Sequence, residues 1–298
     1  MVYDVSDIVK SVKKAFKNDK ISSKVGVGTD LKQLGPEDFI KLGSWWQEPT
    51  CTYGIPFGRI TCLSGNSDSG KTSVAIQTMK AALDQGCGVI YAETEGKTTE
   101  KDMIAWGVDP SQVIIVSSTI AEELYELVLT TWDAFKDKYP EVPLLVVIDS
   151  IGNLISMRDE DIDMMEQNSM PGGKGKANRL GLSRIVSKMN NDNVAILLIS
   201  YVYDHMGSPG KKTAGGEALH FFSVLMYQTA RKGWIEKTVQ GVKQRIGAEV
   251  VFKLQKNHIN KDNPGLKEIT FRITKDGIEH FSKTKVDKIG RASCRERV

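Results

Sequence analysis

Residues 65–72 read Gly65-Asn66-Ser67-Asp68-Ser69-Gly70-Lys71-Thr72 and fit the pattern G-x-x-x-x-G-K-[ST]. The β-rich run Arg59–Ser64 precedes them and the helical pattern Ser73–Leu83 follows, which is the context that this motif requires. The glycines let backbone N–H groups surround a phosphate, Lys71 reaches the β- and γ-phosphates, and the Thr72 hydroxyl ligates magnesium. We therefore expect these residues, together with Ser73, to bind ATP and Mg²⁺.

Outward from this motif, β-rich runs alternate with helical patterns. The predicted strands are Gly88–Ala92, Leu144–Asp149 and Val194–Ser200, and the predicted helices are Ala121–Phe135 and Arg179–Asn190. Such alternation indicates βαβ units and a parallel sheet covered on both faces, so the predicted fold class is α/β. Two later β-rich runs, Ala248–Leu254 and Glu268–Thr274, are joined by the turn Asn263-Pro264-Gly265 and predict a final antiparallel hairpin.

Residues 1–35 are expected to form an N-terminal helix and a linker, before a core of residues 36–287. Val5, Ile8, Val9, Val12 and Phe16 recur at helical spacing with lysines and acids between them. This amphipathic helix either packs on its own domain or docks on a neighbouring subunit. We assign it to oligomerisation.

Residues 288–298 are interpreted as a non-native tail. The last ten residues, Ile289–Val298, fit poorly with the preceding sequence and can be back-translated into a common sequencing adapter. We therefore give them no structural or functional role. Resequencing the locus with different adapters tests this interpretation, and recovery of the same codons would contradict it.

The composition of the chain is that of an ordinary globular protein. Its 298 residues, 40% of them hydrophobic, are enough to bury one substantial core. The longest apolar runs are strand-length, and Met1–Lys20 lacks the uninterrupted apolar region of a secretory signal, so we expect a cytoplasmic protein. The formal net charge is only +3, so any affinity for nucleic acid has to come from local basic patches.

Two carboxylates follow predicted strands at the edge where the motif lies. Asp149 ends an apolar strand and is predicted to lie beside the magnesium ion, although it would also suit a cap of the following turn. The segment Glu93-Thr94-Glu95-Gly96 supplies a group to orient the attacking water. We choose Glu95; Glu93 competes for the role, and a surface ion pair is the alternative.

Two segments without helical or strand periodicity, Ser156–Lys176 and Tyr203–Gly216, follow the two strands that end nearest this site. Long loops of this kind are usually functional or disordered. Ligands of an open α/β sheet bind beyond the carboxyl ends of its strands. Both loops are therefore expected to project beside the nucleotide.

The stretch from Gly54 to about Gly277 resembles the RecA-type recombinases, and most closely the UvsX-like recombinases of phages. Segments in the family's order carry the resemblance: Tyr53–Ile60, Tyr91–Gly96, Trp106–Pro110, Val147–Leu154 and Thr213–Leu219. It implies a RecA-like P-loop ATPase core with a mainly parallel central sheet. It also implies that Glu95 is the catalytic glutamate, acting with Lys71.

The resemblance further implies that the two loops face a filament axis and hold single-stranded DNA. The expected DNA-binding residues are Arg158, Lys174, Lys176, Arg179, Lys211, Lys212, Gly215 and Gly216. The early part of the first loop is acidic, with Asp159, Glu160, Asp161 and Asp163, and by sequence alone it would equally suit a solvated surface loop.

Lys256 matches a family lysine that acts on the ATP of a neighbouring subunit, which makes it a third catalytic candidate. His258 stands where a second cation is usual in the family. Another departure is Ser200-Tyr201, where relatives place a polar pair that senses the γ-phosphate. Tyr201 is interpreted either as packing or as a stacking or altered sensor residue.

The function implied is that of an ATP-dependent recombinase. It would form a filament on single-stranded DNA, hydrolyse ATP when bound to DNA, and exchange strands with homologous duplex. Recombination mediators and single-strand-binding proteins are the further partners expected. The alternative is a RecA-fold paralogue that binds nucleotide and regulates or mediates without exchanging strands.

Overall fold

The structure is a computed structural model that describes residues 5–16, 25, 34–160, 173–189, 193–204 and 211–280. The chain divides into two compact units, Met1–Gly35 and Pro36–Val298. The first contains helix α1, Val5–Ala15, which has no buried residue. The tail assigned to residues 288–298 lies outside the described residues, as do Asp161 and Asp163. Among the helices of the described ranges, none combines the length and the hydrophobicity that a membrane span requires.

The second unit alternates helices and strands. Its helices are α2 (Ser44–Thr50), α3 (Lys71–Asp84), α4 (Glu100–Ala105), α5 (Ala121–Lys138), α6 (Met157–Glu160), α7 (Gly173–Met189) and α8 (Glu217–Phe222). Its strands are β1 (Phe39–Lys41), β2 (Gly54–Pro56), β3 (Ile60–Gly65), β4 (Gly88–Glu93), β5 (Val113–Val116), β6 (Leu144–Asp149), β7 (Val194–Ser200), β8 (Val202–Asp204), β9 (Lys211–Thr213), β10 (Ser223–Val239), β11 (Val242–Asn257), β12 (Glu268–Thr274) and β13 (Gly277–His280).

Within the described residues, nine strands form one mixed sheet in the order β13-β12-β11-β10-β3-β7-β6-β4-β5. The strands from β10 to β5 in this order pair in parallel. The strands β11, β12 and β13 continue the sheet by antiparallel pairing. The predicted α/β class, the mainly parallel centre and the antiparallel C-terminal hairpin are therefore confirmed.

The sheet separates two hydrophobic clusters. Strand β6 shows why, because Leu145 and Val147 belong to one cluster and the alternate residues to the other. Helix α3 packs into the first cluster, and helices α5 and α7 pack into the second. A strand buried on both faces has no polar side to show, which explains the continuous apolar run of β6 in the sequence.

The longest ribbon of the fold, β10 with β11, was only partly predicted. Strand β10 was not foreseen, and β11 is longer than the predicted run Ala248–Leu254. The two strands meet at a turn in which Gln240 and Gly241 both have positive φ, the geometry of a tight hairpin. The outer half of β10 is mostly exposed, so burial imposes no apolar alternation there to mark it as a strand.

Four parallel strands end at one edge of the sheet. Gly65 ends β3, Glu93 ends β4, Asp149 ends β6 and Ser200 ends β7. The register confirms this alignment, because Glu93 pairs with Asp149 and Ser64 pairs with Ser200. This edge lies at the carboxyl ends of the strands, which is where open α/β sheets bind their ligands.

Close packing between helices α5 and α7 yields a stability prediction. A Cβ at Gly181 would lie 2.2 Å from Cδ2 of the buried Tyr125, whereas a Cβ at Gly175 on the same helix meets nothing within 4 Å. We expect Gly181→Ala to lower the free energy of unfolding by about 1 to 3 kcal/mol through overpacking. Gly175→Ala, the matched control, should be neutral or raise it by up to about 1 kcal/mol. Urea unfolding measures both, and equal effects would contradict the packing described.

Candidate active site

The loop between β3 and α3 presents the start of a helix to the open edge of the sheet. Helix α3 begins at Lys71 after Gly70, which has φ +82°, and no side chain caps it. The first N–H groups of an uncapped helix lack intrahelical partners and can therefore donate hydrogen bonds to an anion. A Cβ at Gly70 would lie 2.3 Å from Cδ1 of Ile273, so the loop needs glycine there for space as well as for backbone angle.

Strand β10 holds the other side of this loop. Ser69 Oγ and Thr229 Oγ1 share a hydrogen bond of 2.6 Å, and a Cβ at Gly65 would lie 2.1 Å from that same Thr229 oxygen. Asp68 has φ +54° and accepts a 3.1 Å ion pair from Arg231. These contacts brace the loop on the side that faces β10.

Lys71 lies within the loop rather than pointing into solvent. Its Nζ donates to the carbonyl oxygens of Gly65, at 3.0 Å, and Asn66, at 2.7 Å. Burial lowers the pKa of Lys71, and the nearby carboxylates of Asp149 and Glu95 oppose that shift. The ammonium therefore lies inside the loop that the sequence motif predicts to bind phosphate.

Thr72 and Asp149 are joined across the edge of the sheet. The Thr72 hydroxyl donates to Asp149 Oδ2 at 2.8 Å. Burial raises the pKa of Asp149 to about 6, against the effect of the Thr72 hydrogen bond. A hydroxyl and a carboxylate are hard oxygen donors, so this pair fits the predicted Mg²⁺ site. The Asp149–Ser150 peptide bond is cis.

Glu95 and Glu93 have different surroundings. The Glu93 carboxylate accepts backbone N–H groups from residues 95, 96 and 97, at 3.3, 2.6 and 3.0 Å, and so holds the turn after β4. Glu95 Oε1 instead accepts from Ser150 Oγ at 2.8 Å and from Asn153 Nδ2 at 2.5 Å. Because Glu93 is used by the backbone, the geometry favours Glu95 as the group that orients water.

These groups surround one cavity of about 500 Å³ at the carboxyl edge. Its lining comprises Asn66, Ser67, Asp68, Lys71, Thr72, Glu95, Lys97, Asp149, Ser150, Asn153, Tyr201 and Val202. The volume lies within the range of small-ligand pockets. The arrangement combines an anion cradle, a pair of metal donors and a base beside them.

Sequence reasoning missed several residues of this site. Ser150 and Asn153 hold Glu95, Lys97 forms an ion pair with it, and Arg231 braces the loop. Ser150 and Asn153 could have been noticed, because they directly follow the acid that ends β6. Arg231 could not, since β10 itself was not foreseen.

The two predicted loops meet at helix α7. Asn178 on this helix donates from Nδ2 to the Gly215 carbonyl oxygen at 3.2 Å. A Cβ at Gly216 would lie 3.6 Å from Gly175 Cα, and both Gly215 and Gly216 have positive φ. Within the described part of the second loop, Tyr203, Asp204 and Lys211–Thr213 belong to the small ribbon β8–β9 rather than to irregular chain.

The predicted DNA-binding cations take different positions. Arg158, Lys176, Arg179 and Lys212 are exposed. Lys174 is turned inward, because its Nζ donates to the Gly152 carbonyl oxygen and lies 5.8 Å from the ring centre of Tyr201. Lys174, Lys176 and Arg179 also belong to helix α7, which begins earlier than the predicted Arg179–Asn190. Lys211 belongs to β9, where its backbone lies opposite that of Asp204 in β8.

Ser200 and Tyr201 are engaged within the protein. The Ser200 hydroxyl donates to the Ala214 carbonyl oxygen at 2.6 Å. The Tyr201 ring lies so close to Gly152 that a Cβ there would approach it to 2.4 Å. The structure thus favours packing for Tyr201, although the residue also lines the cavity.

Lys256 and His258 lie away from this cavity. Strand β11 runs antiparallel to β10, and Lys256 is level with Cys62 through Met226, about 10 Å along the strands from Gly65. Lys256 Nζ donates to the His220 carbonyl oxygen at 2.8 Å. Burial, followed by the positive charge of Lys256, lowers the pKa of His258, so its imidazole is neutral at pH 7.

The raised pKa of Asp149 predicts a pH effect on stability without Mg²⁺. The folded chain holds this proton up to about pH 6, from an ordinary pKa of 3.8. Its stabilising contribution is therefore complete below about pH 4 and lost as the pH rises to about 6, a change of about 3 kcal/mol. Asp149→Asn should abolish that change, and the exposed Asp137→Asn should not. Chemical unfolding across pH 4 to 7 measures it, and parent-like behaviour of Asp149→Asn would contradict it.

Comparisons with known proteins match this chain to one family model and to several relatives. A family model described as the RecA N-terminal domain matches residues 6–279. Protein RecA of Fusobacterium nucleatum is 28% identical over 223 residues, covering 74% of this chain and 55% of that protein. Protein RecA of Malacoplasma penetrans is 27% identical over 199 residues, covering 65% and 58%. A plasmid Protein RecA of Lactococcus lactis is 26% identical over 276 residues, covering 90% and 73%. The chain spans little more than half the length of the first two relatives.

Proposed function

This chain belongs to the RecA family, and from that premise we propose that it is an ATP-dependent DNA recombinase that forms a filament on single-stranded DNA. The main support for this proposal is the cavity in which the phosphate loop, the Thr72–Asp149 pair and Glu95 meet. A binding site alone would need only the first two. A carboxylate held beside them by two side chains adds the means to hydrolyse ATP.

Each residue then has one role in hydrolysis. The loop N–H groups and Lys71 bind and orient the phosphates. Thr72 and Asp149 would hold Mg²⁺, which when bound would neutralise charge on the phosphate oxygens. Glu95 orients a water molecule and takes its proton as the water oxygen attacks the γ-phosphorus and the bond to the ADP oxygen breaks. Ser150 and Asn153 fix the direction of the Glu95 carboxylate.

Lys256 acts, on this proposal, on the ATP of the neighbouring subunit. Its position about 10 Å along the strands from its own phosphate loop leaves it unsuited to its own site. Because His258 is neutral, Lys256 is the cation that this segment offers. A lysine supplied in trans stabilises charge as an arginine finger does, and it makes hydrolysis depend on assembly.

DNA binding is assigned to the paired loops at helix α7. The exposed Arg158, Lys176, Arg179 and Lys212 suit contacts with phosphates, while Gly215 and Gly216 allow close approach of the backbone. Lys174 and Lys211 remain in the proposed set. Lys174 would first have to leave the Gly152 carbonyl oxygen.

Further parts of the proposal rest on the sequence alone. We place the chain with the UvsX-like phage recombinases, acting in the cytoplasm of a host cell with mediator and single-strand-binding proteins. Residues 1–35 serve oligomerisation, residues 36–287 form the ATPase core, and residues 288–298 are non-native.

Two variants test the ATPase. Lys71→Ala should lose nucleotide binding, because the loop loses its cation. Glu95→Gln should bind ATP and DNA yet turn over at least about a hundredfold more slowly, since the amide cannot accept the proton. Phosphate release with and without single-stranded DNA measures this. The isosteric pair Glu93→Gln is the comparison, and a larger loss there than at Glu95 would transfer the role to Glu93.

A regulatory paralogue is the second candidate, because Ser200 and Tyr201 are engaged by internal contacts that a phosphate sensor would have to give up. A joint-molecule assay with homologous duplex separates the two. The recombinase should yield joint molecules that need ATP. DNA-independent turnover with no joint molecules would support the paralogue instead.

Mixing two impaired variants tests the role of Lys256 in trans. Lys256→Ala and Glu95→Gln should each be slow alone. In an equal mixture, roughly a quarter of the interfaces join an intact Glu95 to an intact Lys256, so turnover should recover to about a quarter of the parent rate. Lys253→Ala, on the same strand, replaces Lys256→Ala in the control. Recovery absent from the mixture would place Lys256 outside the neighbour's site.

A further inference from the structure

Lys97 is a cation inside the candidate active site to which neither the motif nor the family resemblance assigns a role. It lines the cavity with Lys71, Thr72 and Asp149, and its Nζ forms an ion pair with Glu95 Oε2. Its side chain is 73% exposed, while that of Glu95 is 19% exposed. The pair therefore joins a movable ammonium to a fixed carboxylate.

The backbone beneath Lys97 is anchored. The amide groups of Gly96 and Lys97 donate to the Glu93 carboxylate at 2.6 and 3.0 Å, and Gly96 has φ +64°. The Cα of Lys97 is thus held at the mouth of the cavity. Its four-carbon stem remains free to swing, which lets the ammonium change partners without a change in the fold.

The ion pair weakens Glu95 as a base. Oε1 already accepts from Ser150 and Asn153, and Oε2 is the oxygen that Lys97 occupies. Burial would raise the pKa of Glu95, but the hydrogen bonds from Lys97 and Ser150 outweigh it and the pKa is lowered. A carboxylate in this condition is a weaker proton acceptor until Oε2 is released.

We propose that Lys97 is a catalytic residue that exchanges Glu95 Oε2 for the γ-phosphate oxygens of bound ATP, releasing Glu95 to receive a water molecule. This rests on the proposed function. Lys97 then supplies positive charge in cis, beside the lysine that the neighbour brings. The ammonium end of this ion pair is largely exposed to solvent, which screens its attraction to Glu95 and lowers the resistance to the exchange.

The exchange also allows the site to distinguish bound ATP from bound ADP. Lys97 has a phosphate partner beyond the β-position only when ATP is bound, and stays with Glu95 when ADP is bound. Glu95 is accordingly restrained whenever the γ-phosphate is missing. The same residue thereby favours ATP and restricts the base to the state in which a substrate is present.

Binding measurements with the full chain and Mg²⁺ test the contact directly. Lys97→Met removes the charge of the side chain and keeps its length. It should lower the affinity for a non-hydrolysable ATP analogue by about tenfold and leave the affinity for ADP unchanged. Lys97→Arg should restore the preference for the analogue. Lys101→Met, at an exposed lysine in the nearby helix α4, is the matched control and should match the parent.

Turnover gives the second readout. Lys97→Met should lower kcat on single-stranded DNA by at least about tenfold. The variant loses the positive charge beside the γ-phosphate, and this loss outweighs the gain from releasing Glu95. An unchanged ratio of analogue to ADP affinity would overturn the proposal. So would faster turnover, which would leave Lys97 as a restraint on Glu95 alone. A parent chain that binds neither nucleotide would refute the proposed function itself, and the inference with it.

Discussion

The hydrogen bond from Thr72 to Asp149 is the interaction on which the rest of this site depends. It joins the first turn of α3 to the end of β6 across the intervening strand β7, so it forms only if the parallel strands end level with one another. The register supplies that condition, because β7 pairs Ser200 with Ser64 of β3 and Ile199 with Asp149 of β6. Thr94 then bonds to the backbone of Ser150 in both directions, at 2.8 and 2.9 Å, which fixes the segment that carries the support for Glu95.

Buried charge is the cost of this arrangement, and the site meets it internally. Lys71 is satisfied by carbonyl oxygens of its own loop, and Asp149 by a hydroxyl. Burial lowers the pKa of the first and raises that of the second, so each would be less charged without the other. A bound phosphate chain would offer Lys71 a charged partner in place of these carbonyl oxygens, and charge-assisted hydrogen bonds are the stronger kind. The cradle is thus already shaped for its ligand, which is the condition for electrostatic catalysis.

How far the sequence predicts this structure depends on what fixes each feature. The bounds of β6, β7 and β12 were predicted correctly, because burial makes each of these runs apolar or alternating over its whole length. The residues of the phosphate loop follow from local chemistry alone. Strand β10 did not, since half of it lies where burial imposes no pattern. The inward turn of Lys174 depends on Gly152 and Tyr201, which are distant in sequence, and no local pattern records such a contact.

The topology of the sheet also bears on why such a site would require assembly. Strands β3, β4, β6 and β7 direct their carboxyl ends to one edge, and the connecting segments build the cavity there. Strand β11 runs the other way, so the residues at its end, Lys256 among them, lie towards the opposite edge. A side chain reaches only a few ångströms beyond its backbone, and antiparallel pairing separates these groups by more than that. Lys256 therefore lies too far from its own phosphate loop to act there, which is why the proposal assigns it to the site of another copy of the chain. If that proposal holds, repeating one such heterologous contact produces a ring or an open helix, and an open helix is the form that would suit the proposed filament on DNA.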